Sequence, residues 1–479
     1  MQKKYFNILV LLISFFVIGC NSHNDNTTIN KQNNYTISYN NIKKRGKLIA
    51  VTNYNSTDYF IYKGNPMGFQ KELLQELATS LNLALEIKVN NDLEDCFRGL
   101  YDGRYDIIAI GLTTTKERKD TVNFTRPIST TKQVLVQRKP DGWKKMKKKH
   151  LDTMLIRKPF QLANKTLYVE KGSSFKSRLE NLSEEIGNYI NVIEPNDLSV
   201  EELIAKVSKG EIDYTVSDDH IAMVNSTYYD NIDISTQISL EQNLAWALRK
   251  GEDTLLNKIN KWLRKFSNSK RYASLYTKYY KNKRSTNQNM KGYFSGIDGE
   301  ISKYDDIIKV YSHEIKWDWR LLASLIYQES RFNNSSRSWA GAFGLMQLMP
   351  NTADRFGIDS LASPNANIQA GVRYIKWLEK QLNDVPDSTE RSKFILAAYN
   401  VGLGHVFDAR RLAKKNGKNP NIWTDNVDYY LLNKSKPKFY LDPVVKYGYC
   451  RGSETYKYVS QICTRYNHYK NLVDSIDGK

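Results

Sequence analysis

The hydrophobic rhythm of this chain changes once, and that change limits its fold more than any other feature. Lys281–Gly292 reads KNKRSTNQNMKG, polar and without an apolar period, which marks a linker. Before it, short apolar runs alternate with amphipathic stretches. LIAVT from Leu48 reads as a buried strand. Phe69 to Leu81 reads as a helix with Leu73, Leu74, Leu77 and Leu81 on one face, and LALEIKV from Leu83 as the next strand. Strand, helix, strand in that order indicates an α/β sheet. Leu93–Leu100 adds a helix, Ser239–Lys250 a strand returning to the first lobe, and Leu255–Tyr280 the closing helices. Two crossings between lobes would form a hinge that can close on a ligand. Beyond the linker nearly everything reads as helix: Ser302–His313, Trp319–Glu329, Thr352–Phe356, Asn367–Leu382 and Glu390–Tyr399. A length of 479 residues fits two or three such domains.

The most informative stretch of the helical part is Trp319–Pro350. Leu322, Leu325, Ile326 and Glu329 fall at helical spacing, so a carboxylate stands in line with the apolar stripe. A carboxyl there loses water, its pKa rises, and it can act as a general acid near neutral pH. The stripe alone equally fits a helix-end glutamate that reaches back to solvent. The residues that follow add to the first reading. Gly341 and Gly344 bracket a tight segment, GLMQLMP leads into a new helix, and AAYNVG stands at Ala397–Gly402.

This ordered set of blocks resembles the lysozyme-like catalytic domain of lytic transglycosylases. The resemblance implies Glu329 as catalytic acid/base and places Ser338, Gln347 and Met349 at substrate-binding positions. It also aligns Tyr399 with the tyrosine that faces the glutamate. Glu454, Thr455, Tyr458 and Val459 resemble the closing E-T-x-x-Y-V element, in which Tyr458 would hydrogen-bond the carboxyl or serve only in packing. Upstream, DIIAIGLTTTKERKDTVNFTRP resembles the extracellular solute-binding family that captures polar amino acids. A free amino acid needs a bidentate cation for its carboxylate and an acid for its ammonium. Arg118 fits the first need, Thr113 offers a hydroxyl, and Ser173 and Ser174 sit where a strand runs into a helix start. The resemblance gives Asp218 the ammonium. A surface ion pair for Arg118 and a helix cap for Asp218 are the plain alternatives.

The fold class implied is an α/β two-lobed periplasmic-binding-protein-like domain followed by an all-α (α+β) lysozyme-like domain. The expected boundaries are 1–20 for a lipoprotein signal peptide, 21–40 for a flexible tether, 41–281 for the two-lobed domain, 282–295 for a linker, and 296–479 for the lysozyme-like domain. Met1–Cys20 carries Lys3 and Lys4, then the apolar run Ile8–Ile18. That run is short for a membrane span and fits a signal-peptide core. Val17-Ile18-Gly19-Cys20 resembles a lipobox, which implies lipid on Cys20 and, with Asn21 following, outer-membrane attachment facing the periplasm. Asn21–Asn40 is rich in Asn, Thr and Ser with little to bury.

The net charge of +20 calls for an anionic surface nearby or reflects a solvated lysine-rich exterior. No zinc-finger spacing, basic zipper helix or clustered lysine face supports nucleic acid; wall polymer and anionic lipid account for the charge equally well. Arg138–Lys149 (RKPDGWKKMKKK) reads as a solvated surface segment near the hinge. Three cysteines remain after Cys20, an odd number. Cys450 and Cys463 could pair, though nothing in their surroundings requires it. No metal site or cofactor is expected.

The expected activity is cleavage of the β-1,4 bond between N-acetylmuramic acid and N-acetylglucosamine, leaving 1,6-anhydro ends. The expected partners are peptidoglycan glycan strands, an amino acid or muropeptide in the first domain, and the membrane through a lipid anchor. Two alternatives stay open: a goose-type lysozyme hydrolase, and a lipoprotein solute receptor whose second domain only binds wall.

Overall fold

The computed structural model describes residues 38–196, 198–282 and 300–477. The expected signal peptide, nearly all of the tether and nearly all of the linker lie outside the described residues. A helix at Tyr39–Arg45 begins just inside the stretch expected as tether; it buries Ile42 and stops at left-handed Gly46.

Two twisted sheets build the α/β part. The first runs Ala84–Val89, Lys47–Thr52, Ile107–Thr113, Gln242–Arg249, Val122–Phe124, with Ser129–Thr131 also on Gln242–Arg249. Its first three strands are parallel, and Gln242–Arg249 joins antiparallel. The parallel strands read as continuous apolar runs because helices cover the sheet; Leu73, Leu74 and Leu77 of the helix Phe69–Leu81 are buried as the spacing predicts. The second sheet runs Asn191–Ile193, Thr166–Tyr168, Tyr214–Asp218, Gln133–Arg138, Ile232–Gln237. The chain passes from one sheet to the other twice, after Thr131 and after Gln237. Gln133 ties the crossings together, its backbone N–H donating to Ser239 Oγ at 2.9 Å and its side chain to Gln242 at 3.3 Å.

The helical part centres on Trp319–Ser330, whose Leu322, Ala323, Leu325 and Ile326 are fully buried. Against it lies the long helix Gly452–Asp477. Ser324 Oγ donates to Ile462 O at 2.8 Å, the Arg465 guanidinium lies 4.3 Å from the Tyr327 ring centre, and Tyr466 donates to Asp318 at 2.9 Å. Helices at Asp305–Glu314, Pro350–Arg355, Pro364–Gln381 and Ser388–Val401 match the periodic stretches read from the sequence. Leu403–Lys415 is a further helix that the sequence reading left unassigned. Cys96, Cys450 and Cys463 are all unpaired thiols, so the candidate Cys450–Cys463 bridge is absent.

The two parts meet along the long helix. Tyr59 and His468 Nδ1 share a hydrogen bond of 2.7 Å, Tyr469 donates to Gly64 O at 2.7 Å, and Asn471 donates to Ile87 O at 2.6 Å. Gly64 turns a hairpin between Phe60–Tyr62 and Asn65–Met67. A Cβ on it would fall 2.6 Å from Tyr327 and 2.8 Å from Phe332, so only glycine lets the hairpin tip seat there.

Candidate functional site

Asp318 starts the helix Trp319–Ser330 by accepting from Arg320 N at 2.9 Å. Its end is abrupt: Arg331 (φ 53°) and Phe332 (φ 61°) both adopt left-handed backbone without being glycine. Such residues cost about 1–3 kcal/mol each, which the packing of Phe332 on Tyr327, ring centres 5.8 Å apart, helps offset. Glu329 sits in the last turn. Burial pushes its carboxyl up to about 7, opposed by a hydrogen bond from Tyr458, and no neighbouring carboxylate contributes. The Tyr458 hydroxyl donates to Glu329 Oε1. Burial, and then the charge of Glu329, holds that phenol well above its ordinary range, so it remains a donor.

Of the other sequence-predicted residues, Tyr399 is within electrostatic reach of Glu329, and Ser338, Gln347 and Met349 lie on the segment between the helices Trp319–Ser330 and Pro350–Arg355. Tyr399 donates to Met346 O at 2.7 Å, and its titration feels both burial and Glu329. Gln347, left-handed at φ 47°, donates its side-chain amide to Ser336 O at 2.9 Å and Gly344 O at 2.8 Å. Ser338 closes a turn: its hydroxyl accepts from Ala342 N at 3.0 Å and its own N–H donates to Ala342 O at 2.9 Å. Met349 is exposed at its side chain, and its backbone carbonyl accepts from Thr352 N at 2.9 Å and Ala353 N at 2.8 Å where the helix Pro350–Arg355 begins. Gly344 is held by close approach, since a Cβ there would lie 2.2 Å from the Asn367 amide that accepts from Met346 N at 2.8 Å.

One supporting cluster was not anticipated. Lys434 is fully buried and donates to Asp408, itself fully buried. Asp408 also accepts from Lys446 N at 2.8 Å and Tyr447 N at 2.9 Å. Those bonds hold the YGYCRG segment just before the long helix, and Thr455 within that helix donates to Asn400 of AAYNVG at 2.7 Å. A single buried lysine in a polar loop carries no periodic signal, so sequence reasoning had nothing to find it by.

In the α/β part, Thr113, Arg118, Ser173, Ser174 and Asp218 all line one cavity of about 100 Å³ between the lobes. A water needs about 10–15 Å³ by the same measure, so the space suits one small solute. Arg118 spans the cleft: it donates to Thr113 O at 3.2 Å and to Gly172 O at 3.0 Å on the other lobe. Ser173 Oγ donates to Glu170 O at 2.6 Å, and Ser174 Oγ accepts from Gln133 at 3.1 Å. Asp218 begins the helix Asp219–Tyr228 without capping it through its side chain. The sequence reading missed Asp58, Glu170, Glu201 and His220 in the same lining.

A buried lone carboxyl at a helix end in a lysozyme-like helical domain, joined to a two-lobed cleft domain, defines a glycan-cleaving enzyme coupled to a solute-binding module. Residues 306–422 match the transglycosylase SLT domain, and residues 48–282 match the bacterial extracellular solute-binding proteins, family 3. Membrane-bound lytic murein transglycosylase F of Desulfosudis oleivorans is 33% identical over 427 residues, 89% of this chain and 90% of its own length. The protein of that name from Pseudomonas fluorescens is 31% identical, covering 89% of this chain and 85% of its own. Among solved structures, a mutant arginine-binding protein from T. maritima aligns with 51% of this chain and 99% of its own at 25% identity, TM-score 0.43. The chain belongs to the membrane-bound lytic murein transglycosylase F family and is a peptidoglycan lytic transglycosylase.

The burial of Glu329 predicts a pH-dependent stability. Its folded pKa lies above the unfolded value, so the folded state binds the extra proton. Its contribution is therefore fully present below about 4.5 and lost as pH rises through about 7. Glu329→Gln should gain in Tm relative to wild type between about pH 5 and 8, as thermal unfolding at the two pH values will show.

Proposed function

We propose that Glu329 is the sole catalytic carboxyl and that the products end in 1,6-anhydro-N-acetylmuramic acid. Glu329 protonates the leaving oxygen between the muramic acid and glucosamine residues. The substrate's own acetamido group assists at the anomeric carbon. Glu329 then takes the proton of the 6-hydroxyl as that oxygen closes on the same carbon. The observation that carries this reading is the protonatable, buried Glu329, whose carboxyl accepts a hydrogen bond from the Tyr458 phenol and, among the described residues, has no carboxylate among the causes of its raised pKa. A two-carboxylate hydrolase needs a second acid across the cleft; this site has a neutral hydrogen-bond donor beside the acid instead. Ser338, Gln347, Met349 and Tyr399 line the glycan's path in this reading.

Glu329→Gln keeps the shape and removes the proton donor, so turnover should drop by about 10²–10⁴ with the fold intact. Activity of the wild type should decline as pH rises through about 7, where the acid ionises. Tyr458→Phe removes a bond that favours the charged carboxyl, which should move that decline to higher pH. Mass spectrometry of released muropeptides reads the products. Reducing ends in place of anhydro ends would assign a hydrolase.

The domain order proposed is a lipoprotein signal peptide at 1–20, cleaved before Cys20, a tether over 21–40, a receptor domain over 41–281, a linker over 282–295 and the catalytic domain from 296, facing the periplasm from the outer membrane. No helix among the described residues is long and apolar enough to cross a membrane, and the relatives are named membrane-bound. Lipid on Cys20 supplies the attachment in this reading. Cys20→Ala should leave only salt-sensitive attraction through the basic surface, so washing membranes in high salt should release the variant and leave wild type behind.

The receptor domain, in this reading, holds an amino acid or muropeptide through Arg118, Thr113, Ser173, Ser174 and Asp218, and its closing alters access to Glu329. The contacts of Tyr59, Gly64 and Ile87 with the helix that carries Tyr458 support a connection. A coupling of about 1–3 kcal/mol would change turnover by roughly 5- to 150-fold at most. Turnover measured with and without bound amino acid checks it; equal rates with confirmed binding would leave a targeting module.

A further inference from the structure

The lining of the cleft between the lobes is acidic on a protein that is strongly basic overall. Asp58, Glu170, Glu201 and Asp218 face a cavity to which the same lining contributes Arg118 and His220. The hydrogen-bond inventory shows the same imbalance. Arg118 already donates to two main-chain carbonyls. The hydroxyl of Ser173 is turned onto the Glu170 carbonyl, that of Ser217 onto the Asp218 carbonyl. Two lining acceptors, Asp218 Oδ1 and Asn53 Oδ1, are shut off from solvent with no hydrogen-bond donor among the described residues. A buried acceptor without a donor costs about 1–3 kcal/mol, more when charged. Asp58 and Glu201 have donors of their own in Asn55, Tyr280, Ser56 and Asn225, so the acceptors left over are those of Asp218 and Asn53, in a lining with four acids against Arg118 and His220.

Resting on the reading of this domain as an amino-acid receptor, we propose that the cleft selects a small solute of net positive charge, an amino acid whose side chain ends in a second amino or guanidino group. The α-carboxylate lies against the free N–H groups of Arg118, and Asp218 takes the α-ammonium. The second cationic group is then matched by Glu170 and the neighbouring acids. A neutral or acidic side chain would leave those carboxylates without a counter-ion in a desolvated site.

The titration of the site follows the same logic. Burial pushes Glu170 and Glu201 up to about 7 and Asp218 up to about 6; it raises Asp58 as well. Burial opposes the charge of His220, but Asp219, Asp218 and Asp58 outweigh it and raise that imidazole too. Arg118 keeps its charge throughout, and the buried phenols Tyr54 and Tyr280 stay protonated. A cation entering this cluster lowers the pKa of all four acids and of His220 together. Every such shift expels protons, whereas an anion would draw them in.

Calorimetric titration of the full-length protein near pH 7, in two buffers of different ionisation enthalpy, tests this with L-lysine, L-arginine, L-glutamine and L-glutamate. The expected result is a Kd for lysine or arginine at least about tenfold below that for glutamine, with net proton release. Glu170→Gln should cut that preference below about threefold and reduce the protons released. Should that variant fail to fold, the wild-type proton count and ligand ranking decide alone. Glutamine or glutamate binding as tightly as lysine and arginine, or proton uptake on binding, would overturn the charge selectivity and leave an amino-acid receptor. If none of the four binds, the receptor reading falls and the selectivity falls with it.

Discussion

The hydrogen bond from Tyr458 to Glu329 ties together the parts of this molecule that matter for chemistry. It works only if the last turn of Trp319–Ser330 lies against the first turns of Gly452–Asp477, and the packing is arranged to that end. Ser324 to Ile462, Arg465 over Tyr327 and Tyr466 to Asp318 fix the two helices along their length. At the near end, Thr455 on Asn400 and the buried Asp408–Lys434 pair hold the approach to the long helix. A buried ion pair of this kind is weak evidence of stability, since desolvation can cancel its attraction. Its value here is geometric: Asp408 still has oxygen left for two backbone N–H groups, which sets where the YGYCRG segment runs.

The two sites use burial of carboxyls for opposite ends. Around Glu329 one acid is desolvated beside a neutral phenol, so the proton can leave and return within a single group. In the cleft four acids are desolvated together, and burial raises each of them against the partial relief that Arg118, His220 and hydrogen bonds supply. In the function proposed above, the same physical cause, loss of water around a carboxyl, serves proton transfer in one place and recognition in the other. Number and neighbours decide between them. A lone buried acid has no partner to wait for.

Much of this was legible in the sequence wherever a period was long enough to see. Leu322, Leu325, Ile326 and Glu329 announced both the helix and the acid, and Phe69–Leu81 its buried face. The hairpin Phe60–Tyr62 and Asn65–Met67 was not legible, because three-residue strands are too short for an alternation to stand out. The helix Leu403–Lys415 hid behind Gly402, which in sequence looks like a terminator and in the structure sits at φ 92° as the joint between two helices. Arg118 and Asp218 were read as a matched pair for a zwitterion. The further acids Asp58, Glu170 and Glu201 reach the cavity from elements far apart in the chain, which no spacing rule connects.

The hairpin also explains how two sites on separate cores can be mechanically continuous. At its root Tyr54, Asn55 and Asp58 line the cleft, and Ser56 reaches to Glu201 of the other lobe by its backbone N–H at 3.0 Å and by its hydroxyl. Its tip, Gly64, sits against Tyr327 and Phe332, one helical turn and less from Glu329. Between root and tip, Tyr59 is fully buried against His468, whose imidazole is driven down to about 3, chiefly by burial, and is therefore neutral. A neutral, buried contact of this kind has no charge to screen and does not change with pH in the working range. Separating the lobes would break the Ser56–Glu201 bonds at the root, along with the Arg118–Gly172 bond across the cleft. Whether the tip follows is set by the stiffness of a two-stranded ribbon six strand residues in extent. Such a ribbon is marginal alone, so its packing on the long helix is what would carry a displacement from one core to the other.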